Sequence, residues 1–112
     1  MAQTLTVLIP GSYLTTSPAA YYTAPATKQT VIRRLVITNV SSGDVTATIN
    51  LVSSGGSTGQ ENRVISARTI AAGESYVSPE CSNQILGAGG KIVGVASVNS
   101  ALTVYASGVE AS

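Results

Sequence analysis

Lys28–Val52 reads KQTVIRRLVITNVSSGDVTATINLV, two runs of β-branched and apolar residues separated by Ser41, Ser42, Gly43 and Asp44. In the second run Val45, Ala47, Ile49 and Leu51 alternate with Thr46, Thr48 and Asn50, the period-two pattern of a strand with one buried face. The four residues between the runs supply turn chemistry, because Gly accepts positive φ and Ser or Asp hydrogen-bonds its own local backbone. The spacing therefore predicts a β-hairpin over 28–52. The adjacent Arg33 and Arg34 fall in mid-strand, so strict alternation sends one to each face. Each is either an exposed cation whose stem covers apolar surface or half of a salt bridge to another chain.

Upstream, Thr4–Ile9 (TLTVLI) reads as a strand ended by Pro10-Gly11, since Pro cannot donate to a ladder. Residues 1–10 are thus read as an N-terminal arm or edge strand, with Leu5, Val7 and Ile9 as candidate partner contacts. Residues 13–25 are irregular, with a short extended piece between Pro18 and Pro25 that carries Tyr21 and Tyr22. These tyrosines are core lids or interface anchors, the latter because Tyr joins a large apolar body to a polar tip. Downstream, SSGGSTGQEN (53–62) reads as a flexible loop. Strands follow at 63–70, 75–78, 84–86, 91–98 and 101–110, and the Asn99-Ser100 turn predicts a second hairpin between the last two. Those last strands have apolar residues on both faces, which calls for cover on both faces, the second from another chain.

About eight short strands with turn signals every 8–12 residues, and no helical period, describe one all-β sandwich over residues 1–112, jelly-roll or Ig-like. A chain of 112 residues suits one domain. Its core lacks Phe and Trp and must be built from Val, Ile, Leu and Ala, so association with copies of itself or with a larger body is expected to add stability.

The chain has no His and one Cys. That excludes a Ser-His-Asp triad, a Cys-His pair, an imidazole or multi-thiolate metal site and an internal disulfide. Its five acids are scattered singly near turns or chain ends. The Gly-rich stretches 53–62 and 87–91 (GAGGK) lead into strands and lack the phosphate-loop ending. Cys81 reads as a small buried hydrophobe. Only 10% of residues are charged, with a formal net charge of +1, and beyond Arg33-Arg34 no basic cluster marks a nucleic-acid face. The first ten residues lack the pattern of a signal peptide, and no segment is apolar enough to span a membrane as a helix, so synthesis in the cytoplasm is expected. No enzyme, cofactor, metal, nucleic acid or membrane partner is expected.

The run YYTAPATKQTVIRRLVITNVSSGDVTATINLV (21–52), then SSGGSTGQENRVI and IAAGESY, resembles small all-β virion proteins encoded among the structural genes of tailed bacteriophages. The resemblance covers about residues 20–110 and carries no functional residues across. It implies a non-enzymatic particle component. A capsid decoration (cement) protein is the leading expectation, a homotrimer seated at a quasi-threefold position on the major capsid protein. A neck or tail accessory module that binds virion proteins or host glycans is the alternative.

Overall fold

The computed structural model describes residues 3–111. Its strands are β1 (Gln3–Tyr13), β2 (Ala19–Thr23), β3 (Gln29–Asn39), β4 (Val45–Val52), β5 (Arg63–Ile70), β6 (Ser75–Val77), β7 (Gln84–Leu86), β8 (Lys91–Ala96) and β9 (Leu102–Ala111), with one 3-10 turn at Gln60–Asn62. They form two antiparallel sheets. The first runs β1-β9-β3, with β6 and β7 lying end to end on the far side of β3; the second runs β2-β8-β4-β5. β4 pairs with β5, β3 with β6 and β7, β2 with β8, and β1 with β9. The pairs are nested, so the chain is one long two-stranded ribbon with its tip at 53–62, wrapped into a sandwich. That is the jelly-roll arrangement, and it decides between the two connectivities left open above.

Neither expected hairpin forms. β3 and β4 lie in different sheets, and so do β8 and β9. Period-two patterning specifies which face of a strand is buried and leaves its neighbours undetermined. The turn chemistry at 41–44 is nonetheless used. The buried Asn39 amide donates to the carbonyls of Gly43 and Ile70 (both 2.8 Å), and its Oδ1 accepts from the Ser41 N–H (2.9 Å) and hydroxyl (2.7 Å). These bonds fasten an arch from one sheet to the other. At 97–101 the chain also crosses between sheets, with Asn99 Oδ1 accepting from the Thr16 N–H at 2.8 Å.

Pro10-Gly11 does not end β1. The strand continues to Tyr13 through register shifts on both sides of Ile9, with Gly11 at φ 108°. Pro is tolerated there because β1 is an edge strand. The core between the sheets is aliphatic, with Ile9, Leu14, Ile32, Leu35, Ile37, Ile49, Ile92, Leu102 and Val104 essentially inaccessible to solvent. Each such side chain contributes about 1.5–3 kcal/mol by burial.

Tyrosines tie the two sheets together. From β2, the Tyr22 hydroxyl donates to Glu110 Oε2 on β9 (2.6 Å) and bonds Thr30 Oγ1 on β3 (2.7 Å). On the opposite flank the Arg68 guanidinium of β5 lies 4.1 Å over the Tyr76 ring of β6, and the Tyr76 hydroxyl donates to Glu80 at 2.5 Å. That bond holds the Glu80 carboxyl below its usual range.

The loop 53–62 is not free. Asn50 Nδ2 donates to the Gly59 carbonyl (2.8 Å) and to Asn62 Oδ1 (2.7 Å), and Gly56 lies against Val52. Asn50, Val52 and Val93 alternate outward from the second sheet, in register with one another or with β8, yet all three are buried. The loop thus covers part of that outer face. The second cover expected for β8 comes from the chain itself.

Candidate interaction face

Among the described residues no cluster of three Cys, Asp or Glu side chains could hold a metal ion. Cys81 is buried, and burial pushes its thiol pKa up. Among the described residues the distinctive feature of the surface is a sheet face.

Two bulges flank β9 at the same level. On β3, Ile32 opposes Gly108 and Arg34 opposes Ser107, leaving Arg33 as the extra residue. On β1, Val7 opposes Ser107 and Ile9 opposes Ala106, leaving Leu8 as the extra residue. A bulge resets alternation. On β3 the buried positions are 30 and 32 before it and 35, 37 and 39 after it. Both arginines are consequently exposed, and the expectation of one per face is corrected. On β1 the reset buries Leu8 and Ile9 together. The break between β6 and β7 lies opposite the same place, where the Ser78 and Asn83 N–H groups donate to the Leu35 and Ile32 carbonyls (2.9 and 2.6 Å).

Gly108 lets the strands approach at this crossing. A Cβ there would collide with the Val31 carbonyl oxygen and lie 3.1 Å from Leu8 Cδ1. That close approach is on the inner side; on the outer side, at the small Ser107, the surface dips into a depression of about 310 Å³ lined by Leu5, Thr6, Val7, Arg33, Ser107 and the Gly108 backbone. Leu5 is 87% exposed and Val7 51%.

Register extends this apolar surface across the sheet. Leu5, Val109, Val31 and Ile85 stand opposite one another in one outward row, and Tyr105, Val36 and Val77 in another. Ile85 is 66% exposed and Tyr105 47%. Within these rows Val109 is buried at 9%, while Leu5, Ile85, Val77 and Tyr105 remain exposed.

Of the residues singled out in the sequence, Leu5, Val7 and Arg33 meet in the depression, and Arg34 lies on the same face beside it. Ile9 is fully buried, so it offers no surface. Met1 and Ala2 of the arm lie outside the described residues. Tyr21 and Tyr22 are half-buried and pack against the core as adjacent residues, because β2 has its own register shift between Ala20 and Tyr22. Burial, reinforced by the Glu110 bond and opposed by the Thr30 bond, pushes the Tyr22 hydroxyl up to about 12. The sequence reading missed Gly108, Ser107, Ile85 and Tyr105. A glycine inside a β-rich run was the available signal, since it marks a bulge or a close backbone approach.

No family model matches the chain, and no curated protein matches it in sequence. Among solved structures, a chain from the structure of infectious bursal disease virus, Gx strain, is similar at a TM-score of 0.50 and 15% identity, over 98% of this chain and 31% of its own length. A chain from the crystal structure of the infectious bursal disease virus VP2 subviral particle is similar at 0.48 and 19% identity, over 98% and 32%. At these identities the likeness is one of fold, and the chain spans about a third of the length of either.

Proposed function

We propose that residues 1–112 act as one unit, a non-enzymatic structural protein of a bacteriophage virion that attaches through the outer face of the β1-β9-β3 sheet. The observation that carries this reading is the contrast between the two outer faces. One is partly covered by the chain's own loop, whereas the other presents Leu5, Val7, Ile85, Val77 and Tyr105 to solvent beside two arginines. Exposed apolar surface of this kind marks a contact with protein. The fold likeness to a chain of a virus structure fits the same role.

Within the virion, the role is that of a decoration or cement protein, made in the host cytoplasm and bound to the major capsid protein as a trimer. Occupied sites stabilise the bound shell by mass action. The test is to prepare particles with and without the protein and follow genome release on heating and on chelation. Earlier release from depleted particles is expected. Unchanged release refutes the cement role, and antibody labelling confined to the neck or tail assigns the accessory role instead.

A further inference from the structure

We infer that the depression at the paired bulges receives an aliphatic side chain of a different virion polypeptide, with adjacent carboxylates of that polypeptide paired to Arg33 and Arg34. The inference rests on the virion role proposed above and specifies the chemistry of the partner.

Charge sets half of the requirement. Arg63 donates to Ser66 and Arg68 stacks on Tyr76, whereas Arg33 and Arg34 have no side-chain partner among the described residues. The strands of their sheet contain a single acid, Glu110, whose carboxylate accepts from Tyr22 on the inner side. On the outer side the strands therefore carry two guanidinium groups and no carboxylate. In a regular strand neighbouring residues would point apart; the bulge at Arg33 puts both on one side.

Shape sets the other half. The depression has aliphatic walls in Leu5 and Val7 and a floor at the small Ser107 and the Gly108 backbone, and its 310 Å³ exceeds the ~150 Å³ that accepts a benzene-sized group. A nucleic-acid backbone would satisfy the guanidinium groups and leave Leu5 and Val7 bare. A purely aliphatic partner would cover Leu5 and Val7 and leave two cations without counter-charge, which is costly once water is excluded. An aliphatic residue next to acidic ones meets both demands.

The test is a titration of the full chain, followed by amide chemical shifts, with three blocked peptides: GSLEEG, GSLQQG and GSAEEG. GSLEEG is expected to move the amides of residues 5–7, 33–34 and 107–108. GSLQQG should bind about three- to tenfold more weakly for the loss of two exposed ion pairs, and GSAEEG weaker by up to about fiftyfold for the lost isopropyl group. In a chain carrying Arg33→Gln and Arg34→Gln with a preserved spectrum, GSLEEG and GSLQQG should bind alike. The inference is overturned by equal binding of those two peptides to the unmodified chain, or by no response to GSLEEG at millimolar concentration. A stronger response of the same amides to an oligothymidylate, or self-association of the free chain abolished by Arg33→Gln, also overturns it. Particles settle the underlying role separately. If they contain the doubly substituted protein in unchanged amount and with unchanged release by salt, the pairing fails and the virion role stands. If particles do not contain even the unsubstituted protein, the virion role fails.

Discussion

Tyr22→Phe removes one oxygen and keeps the ring. That oxygen joins the two sheets, bonding Thr30 Oγ1 at 2.7 Å and donating to Glu110 Oε2 at 2.6 Å. Thr30 is fully buried, so its hydroxyl loses its partner in the variant. Stranding a buried polar group costs about 1–3 kcal/mol, and partial access of water to Tyr22 places this case near 1–2 kcal/mol. For a chain of this length that corresponds to roughly 4–9 °C in Tm. The loss should depend on pH. The hydroxyl is held near 12 in the fold against about 10 in an unfolded chain. A group raised on folding contributes its stability in full below the unfolded value and loses it as pH rises through the folded value. Urea unfolding of both proteins should therefore show a constant gap from pH 7 to about 10 that closes towards pH 12. A gap under about 0.3 kcal/mol at pH 7, or one that persists undiminished at pH 12, refutes the reasoning.

Other sites give independent checks. Gly108→Ala drives a methyl group into the Val31 carbonyl and against Leu8, and overpacking of this kind should cost about 1–3 kcal/mol in denaturant unfolding. Gly43→Ala, whose added Cβ would meet nothing within 4 Å, should stay within about 0.5 kcal/mol and serves as its control. Asn50→Ala should release the 53–62 loop, read as new protease cleavage there and faster amide exchange at residues 52 and 93, with a stability loss of about 1–3 kcal/mol. Leu35→Ala, on the inward side just after the arginine bulge, should cost about 2–5 kcal/mol by calorimetry.

Much of the strand content was legible because period-two patterning follows directly from one buried face. Val45, Ala47 and Ile49 point inward as that pattern requires. Strand partnership was not legible, because β3 and β4 would bury the same residues whether they paired with each other or faced each other across the core. The doubled arginine was a readable clue. Two successive polar residues between Ile32 and Leu35 can be exposed together only if alternation slips, and the slip is the bulge that forms the depression. The composition of 53–62 signalled flexibility, while its order comes from the amides of Asn50 and Asn62, a contact that composition does not encode. Tyr21 and Tyr22 lie half-buried on β2 against the core, a place that follows from the wrapped topology.

Cryo-electron microscopy of the intact particle tests the attachment face most directly. The account predicts density for this chain with the outer side of β1, β9 and β3 against another virion protein, an aliphatic side chain in the Leu5–Val7–Gly108 depression and acidic groups at Arg33 and Arg34. Finding that face turned to solvent, with contact made instead through β2, β8 or the 53–62 loop, would contradict it.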